Sequence, residues 1–455
     1  MTKIGLEIHG YLDTKEKLFC SCLNSQNERK NSLICPICTG QPGSKPNLPN
    51  VEALKKSVQI ALMLNTKINT IENKKKLIWQ RKHYSWPDLP KGYQTTLSGT
   101  YAVPIGENGK FLGIRIRELH LEEDPASWDP KTGCIDYNRS GSPLIEIVTE
   151  PDFTSSEEVT NWLKRLIITL SYIKAINKQA GIKADVNVNI EGVSERTEIK
   201  NVHSIKDIAK VIEFELIRQK KERPKKMETR RWNPQKEKTE PMRSKESHAD
   251  YRFISDPDLT IISLKEKDVN KIKSNLPESP EIKLKKLITQ HKIPKEHAET
   301  LSKNLELVEF FESVITKIKP EFALPWINVE LLRVLNYNKK TLDEVAIEIN
   351  HFIELLQLIQ QGKLTELKGK QILNKFIPKS FSPKSELKGS ERITNEKELS
   401  KLIEEVIKKN SKAVQDYKAG EKNSFNYLMG EIMKSSNRRA DFKIASDILK
   451  ELLKK

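Results

Sequence analysis

Up to about residue 260, apolar and polar residues alternate in short runs broken by Pro, Gly and Asn; from about residue 280 onward, apolar residues recur every three to four positions. The first pattern predicts strands, whose successive side chains point to opposite faces. The second predicts amphipathic helices. Three helices interrupt the first part. Asn50 precedes a stripe of Val51, Leu54, Val58, Ala61 and Leu62. Ser155 stands three residues before Glu158, a capping-box spacing, and opens a run with Val159, Trp162, Leu163, Leu166, Ile167 and Leu170. Ser204 offers a cap for a helix carrying Ile205, Ile208, Ala209, Ile212 and Leu216. The expected fold class is therefore α+β: a mixed or antiparallel sheet with helices, followed by an all-α region. Pro224–His248, charged and without a clear period, predicts a mobile loop. Pro378–Ser390, with two prolines and little apolar content, predicts a linker.

The polar faces of the strands carry unusual residues. In Ile4–Gly10, Ile4, Leu6 and Ile8 form the apolar face, while Glu7 and His9 share the other. In Leu119–Asp124, Glu122 lies on the face of His120, whereas Glu123 follows Leu119 and Leu121. Glu146 sits between Ile145 and Ile147; Asp185, Asn187 and Asn189 line one face of Ala184–Ile190; Arg196, Glu198 and Lys200 line one face of the next run. Water-facing strand positions ordinarily carry Thr, Lys, Ser and Arg. Carboxylates crowded in this way repel unless cations neutralise them, and oxygen with imidazole is the donor set of magnesium–phosphate chemistry. The pattern predicts an enclosed metal and phosphate site. Arg81, Lys82, Arg139 and Lys200 are available to meet phosphate oxygens. A solvated sheet face is the plain alternative.

Four of the five cysteines, Cys20, Cys22, Cys35 and Cys38, fall in a C-x-C, twelve-residue, C-x-x-C spacing. Thiolates so spaced converge on one tetrahedral ion, and four of them leave no open position, so a structural Zn²⁺ is expected. Cys134 stands alone and is expected to be a small core residue. The net charge of +17 favours a polyanionic partner, nucleic acid before membrane. The opening MTKIGLEIHG does not read as a signal peptide, and no apolar run reaches membrane-spanning length; a cytoplasmic protein without membrane contact is expected. Neither G-x-x-x-x-G-K-[ST] nor G-x-G-x-x-G occurs, so any ATP must sit on another kind of site.

Nine segments carry a resemblance: IGLEIHGYLDTKEKLFCSC, CPICTGQPGSKP, QRKHYSWPDLPKGYQ, ELHLEEDP, DYNRSGSPLIEIVTEPD, RTEIKNVHS, METRRW, MRSKESHADYRFISDPDL and FNYLMGEIMK. Together they resemble the B-subunit family of aspartyl/glutamyl-tRNA amidotransferases (GatB) over nearly the whole chain, in its archaeal-type branch. The resemblance implies a kinase-like cradle with a zinc knuckle over residues 1–279, a helical domain over 280–388, and a YqeY-like tail over 389–455 that binds tRNA, with Arg438 and Arg439 as phosphate contacts. It implies a carbon–nitrogen ligase using glutamine as amide donor. ATP and Mg²⁺ would phosphorylate the side-chain carboxylate of a misacylated Asp-tRNA(Asn) or Glu-tRNA(Gln), and ammonia would then displace phosphate. The ammonia would come from the partner amidase (glutaminase) of such complexes, the A-type component, with the small C-type component clamping the pair. Matching motifs place the ATP and metal groups at Glu7, His9, Lys82, Glu122, Glu123, Glu146, Asp185 and Glu198, with Glu7, His9, Glu122, Glu123 and Glu146 holding Mg²⁺. The related E-type component of the Gln-specific enzyme has a large inserted domain. Only about twenty residues separate DPDL from the helical region here, so that insert is absent. A non-catalytic zinc and tRNA-binding scaffold would lack the acidic cavity.

Overall fold

Alternation in the first residues makes the central strand. In β1 (Thr2–Tyr11), Ile4, Leu6 and Ile8 are buried on one face, and Glu7 and His9 are half-buried on the other. The computed structural model describes residues 1–25, 28–177, 181–242, 251–387 and 391–454. It divides into two units, Met1–Ser279 and Pro280–Lys455.

The first unit is built on strands. After β1 come β2 (Lys67–Ile68), β3 (Gln80–His83), β4 (Tyr93–Thr96), β5 (Gly106–Phe111), β6 (Ile114–Glu123) and the short β7 (Ser127–Trp128) and β8 (Ile135–Asp136). They are followed by β9 (Pro143–Thr149), β10 (Ile182–Ile190), β11 (Thr197–Val202), β12 (Glu228–Asn233), β13 (Lys238–Pro241) and β14 (Arg252–Ser255). Twelve of them form one sheet, in the order β13-β12-β11-β10-β1-β9-β6-β4-β3-β14, with β2 and β5 branching from β6. β11 and β12 run parallel, and the other pairs on that path are antiparallel. β7 and β8 pair separately.

One sheet face is the core. Ile4, Leu6, Ile8, Leu119, Leu121, Ile145, Ile147, Val186 and Val188 join a single apolar cluster with residues of α1 (Val51–Met63), α2 (Ser156–Tyr172) and α3 (Ile205–Glu222). Both expected N-caps form: Ser155 and Ser204 accept from the N–H groups of Glu158 and Asp207, and Asn50 caps α1 by accepting from the Ala53 N–H. The return half of the Ser155 box closes one residue early, because Glu158 accepts from the Thr154 N–H at 2.9 Å. Trp162 anchors α2 by packing edge-on to Phe111 and Phe153 and donating Nε1–H to the Phe111 carbonyl at 2.9 Å. Val51 and Ile167, counted on the apolar stripes, are exposed.

Where Pro224–His248 suggested a loop, residues Glu228–Pro241 form the β12–β13 hairpin on the edge of the sheet; positions 243–248 lie outside the described residues. Apolar alternation could not announce it, since it is held by polar side chains. Arg218 and Arg230 both reach the fully buried Glu215 of α3, and Arg230 also donates to Thr239. In the second unit, buried apolar residues separate into two clusters, one running from Leu287 to Phe376 and the other from Ile393 to Leu453. Within Pro378–Ser390, the described residues include a short 3₁₀ turn, Pro383–Glu386, with Pro383 buried. Among the described residues no helix is long and apolar enough to cross a membrane.

Candidate functional site

The polar face of the sheet gathers its charge by register. His9 on β1 stands opposite Glu146 on β9, and Glu146 stands opposite His120 on β6. Opposed residues share a face, so the three side chains meet. His120 Nε2 lies 3.5 Å from Glu146 Oε2; His9 Nε2 lies 3.9 Å from Glu146 and 4.0 Å from Glu122. One donor atom each from His9, Glu122 and Glu146 falls within 4.8 Å of the others, an arrangement able to hold a cation.

On the other side of β1, towards β10 and β11, a second group forms. Glu7 pairs in register with Asp185 on β10, and Asn187 pairs with Glu198 on β11. Donor atoms of Glu7, Asp185 and Glu198 also fall within 4.8 Å of one another. The β10–β11 register shifts between Ala184 and Val186, so β11 carries the extra residue and its Lys200 and Asn201 together oppose Asp185. Asp185 accepts from the Asn201 N–H at 2.8 Å and pairs with Lys200 Nζ at 2.6 Å. Lys200 also contacts Glu198. Asn187 Nδ2 donates to Glu7 at 3.3 Å.

Electrostatics differ between the groups. Burial raises the Glu122 carboxyl, and the charge of Glu146 raises it further. Burial would raise Glu146 too, but the charge and hydrogen bond of His120 outweigh it and hold Glu146 well below the usual carboxylate range. Burial opposes charge on His120, yet Glu146 overcomes it and keeps the imidazole raised. At the second group, burial, Glu146, Asp185 and Glu198 together raise Glu7 against the opposing charge of Lys200. Lys200 is raised by Asp185, Glu198 and Glu7 despite the opposing cost of burial. Glu122 Oε2, Asn187 Oδ1 and His120 Nδ1 are buried with no hydrogen-bond partner among the described residues. A buried carboxylate oxygen left unpaired costs free energy that a bound cation would remove.

The remaining expected residues fall into two sets. Glu123 is one residue off the parity of Glu122. It leaves the cluster, contacts Lys91 and accepts from the Thr95 N–H at 3.0 Å. Three cations expected to meet phosphate are engaged by protein acceptors. Arg81 is held by Asp256 and Asp258, Arg139 by Asp124 at 3.1 Å and the Pro125 carbonyl at 3.0 Å, and Lys200 by its two carboxylates. Lys82 differs: its ammonium sits over the Tyr251 ring, 4.8 Å from the centroid, and its charge is felt at Glu122 and Glu146. His120 and Asn187 were visible as polar-face residues but not as members of the site; only the cross-strand register reveals them.

The four cysteine Sγ atoms converge within 4.8 Å as free thiols. Cys38 Sγ accepts from the Cys35 N–H at 3.2 Å and from Lys17 Nζ at 3.5 Å. A hydrogen bond from Cys20, then the Cys35 N–H and the Lys17 charge, hold the Cys38 thiol down to about 5 against the cost of burial. Gly40 closes the turn at φ +65°; a Cβ there would lie 2.4 Å from the Pro90 carbonyl oxygen. Cys134, expected in the core, is exposed, since it lies in the polar turn joining β7 to β8. Arg438 is exposed in the turn Asn437–Arg438, where φ is 49° and 61°, and Arg439 donates to the Ser436 carbonyl at 3.2 Å.

Residues 2–270 match the GatB/GatE catalytic domain, and residues 309–453 match the GatB domain of the YqeY type. The chain belongs to the GatB family. A relative from Methanocaldococcus jannaschii is 42% identical over 100% of this chain and 98% of its own length. One from Methanothermobacter thermautotrophicus is 41% identical, covering 99% of both, and one from Methanopyrus kandleri is 40% identical over 99% of this chain and 98% of its own length. Each is named as the B subunit of an aspartyl/glutamyl-tRNA(Asn/Gln) amidotransferase. These GatB relatives are archaeal, as the QRKHY and HLEEDP segments suggested.

Proposed function

We propose that this chain is the activating subunit of a tRNA-dependent amidotransferase. It phosphorylates the side-chain carboxylate of a misacylated Asp-tRNA(Asn) or Glu-tRNA(Gln) with ATP, preparing that carboxylate for amidation. The observation that carries the proposal is the convergence of His9, Glu122 and Glu146, beside Glu7, Asp185 and Glu198, on the polar side of one sheet. Hard oxygen donors and imidazole fit Mg²⁺, and the unpaired Glu122 Oε2 is an acceptor that such an ion would satisfy. Magnesium bound there would neutralise phosphate charge. Four sulfur donors, with one thiol already held low, fit Zn²⁺ at the knuckle.

The residues divide the work by environment. The attacking carboxylate of the substrate is ionised at neutral pH, so no strong general base is required. Lys82, above Tyr251 and near Glu122 and Glu146, is placed to meet phosphate oxygens. Glu146, kept ionised by His120, supplies permanent negative charge, while Glu122 gains most from a cation. The mixed anhydride then loses phosphate as ammonia forms the new C–N bond. We assign ammonia production to a partner amidase and clamping to a small third component, both cytoplasmic. We further assign residues 1–279 to the cradle, 280–388 to a helical domain, and 389–455 to a tRNA-binding tail that includes Arg438 and Arg439.

The test is amide formation from both misacylated tRNAs, with partner subunits, ATP and either glutamine or ammonia. Glu146→Gln should abolish phosphoryl transfer and leave glutamine hydrolysis by the partner measurable. Undiminished amide formation by Glu146→Gln with free ammonia rejects the reading. Cys20→Ser should lose zinc; unchanged zinc content removes the knuckle assignment.

A further inference from the structure

Lys17 takes no part in the activation chemistry, yet its side chain is 1% exposed, the deepest of the described lysines and arginines. Among the described residues no carboxylate forms an ion pair with it. The three donors of its ammonium meet three other acceptors: the Leu33 carbonyl at 2.9 Å, the Tyr137 carbonyl at 3.2 Å and Cys38 Sγ at 3.5 Å. Burying an ammonium is costly unless an opposite charge meets it, and carbonyl dipoles offset only part of that cost. An apolar side chain of similar length would fill the space without it. The one source of opposite charge at the ammonium is sulfur. Four thiolates around one Zn²⁺ leave two negative charges in excess, and Lys17 stands against one of those sulfurs.

The ammonium also joins three stretches of chain. Lys17 itself enters the C-x-C pair, and Leu33 stands two residues before Cys35, at the approach to the C-x-x-C pair. Tyr137 follows β8 and opens residues 137–142, which lead into β9 and so to Glu146. The knuckle holds this segment at two more points: Ser140 Oγ donates to the Cys38 carbonyl at 2.7 Å, and the Leu18 N–H donates to the Gly141 carbonyl at 2.8 Å. On its other side the segment is bonded to the end of β6. The Gly141 N–H donates to the Asp124 carbonyl and the Asp124 N–H to the Ser142 carbonyl, both at 2.9 Å.

We propose that Lys17 is the counter-ion of the tetrathiolate centre and the clamp through which that centre orders the segment leading to Glu146. This rests on the zinc reading of the knuckle proposed above and is independent of the magnesium one. Groups that hydrogen-bond to metal ligands orient them and tune the metal, and Lys17 does so while fixing neighbouring backbone. It is a positioning residue, since it touches neither the acidic cluster nor any reacting atom.

The experiment uses the full chain. Zinc is titrated against a chromophoric chelator in wild type and Lys17→Met, which should bind it more weakly by roughly 10- to 100-fold. Weaker zinc alone could follow from looser packing, so the same proteins are loaded with Co²⁺. An ammonium beside a sulfur holds its lone pairs more tightly. Removing it should move the sulfur-to-metal charge-transfer band to longer wavelength. Hydrogen exchange supplies the third readout: zinc loading should protect the amides of residues 137–142 in wild type, and much less in Lys17→Met saturated with zinc. Equal zinc affinity in the two proteins overturns the proposal. So does an unmoved band with weakened zinc, which would assign Lys17 to packing, and so does a wild-type segment whose exchange ignores zinc. The two readings fail separately: zinc retained by Cys20→Ser rejects the knuckle itself, whereas zinc lost from Cys20→Ser but held undiminished by Lys17→Met rejects the counter-ion alone.

Discussion

Lys200 is the most informative residue to remove. Its ammonium stands among Glu7, Asp185 and Glu198, 2.6 Å from Asp185 Oδ2 and in contact with Glu198. It therefore occupies the role a divalent cation would otherwise fill at the second carboxylate group. Lys200→Met keeps much of the aliphatic stem and deletes the charge. At an effective dielectric of about 20, two carboxylates about 5 Å apart repel by about 3 kcal/mol. Removing one partner of a buried pair costs about 3–5 kcal/mol. The Lys200 side chain is 25% exposed and that of Glu198 is 21% exposed, so solvent screens part of this. The expected loss is about 2–3 kcal/mol, smaller where Glu7 takes up a proton.

The assay is urea denaturation of the wild type and Lys200→Met, each in chelator and in excess Mg²⁺, in a Glu146→Gln background that weakens the first group. Without added cation the lysine variant should be the less stable. A cation at a hundred times its Kd restores about 2.7 kcal/mol by linkage, so the variant should gain from magnesium where the parent gains little. Equal stability in chelator would refute the claim that Lys200 neutralises the cluster. An equal magnesium increment in both proteins would refute the claim that it fills the cation's place.

Three further outcomes follow from other parts of the fold. Gly40→Ala puts a Cβ 2.4 Å from the Pro90 carbonyl oxygen at φ +65°, and should cost about 2 kcal/mol and lower zinc content; intact zinc by mass spectrometry would contradict it. Trp162→Ala removes two edge-on aromatic contacts and the bond to the Phe111 carbonyl, and should cost about 3–5 kcal/mol; a loss under about 1 kcal/mol would show the site collapsing to fill the space. Asp441 caps the last helix through the Ile444 N–H and pairs with Arg392; these interactions hold its carboxyl below the ordinary range although burial opposes them. A depressed carboxyl stabilises above its unfolded pKa and loses that contribution as pH falls through its folded value. Asp441→Asn should therefore cost about 1 kcal/mol at pH 7, and the difference should begin to shrink as pH drops towards about 4 and vanish only below the depressed folded value; a pH-independent deficit would assign the loss to packing.

Much of this site was legible because strand parity is a hard constraint. Once Ile4, Leu6 and Ile8 are buried, Glu7 and His9 must share the opposite face, and the same parity separates Glu122 from Glu123. The helix caps at Ser155 and Ser204 were legible for a similar reason, since each acts within three residues. Parity along one strand does not give register between strands. That His9 and His120 flank one glutamate, and that Lys200 spends its charge on Asp185 and Glu198, depends on pairings up to well over a hundred residues apart in sequence. The β12–β13 hairpin escaped for the opposite reason: its strands are anchored by buried charge around Glu215, so the signal that finds strands was absent.

The same limit bears on the cations expected to meet phosphate. A basic residue beside a carboxylate-rich strand reads equally well as a phosphate ligand and as a structural counter-ion, and composition favours the first. Burial decides. Arg139 and Arg81 sit where protein acceptors already meet their donors, and pulling either away would leave buried Asp124 or Asp256 without its cation. Among the described residues no carboxylate forms an ion pair with Lys82: it lies against an aromatic face, within electrostatic reach of Glu122 and Glu146. Mobile charge at this site therefore rests on Lys82, while Arg81, Arg139 and Lys200 hold the acidic wall together. If so, Lys82→Met should cut phosphoryl transfer while leaving the unfolding midpoint within about 0.5 kcal/mol of wild type, whereas Arg139→Met should lower stability first. The reverse ordering would place the phosphate contact on Arg139 after all.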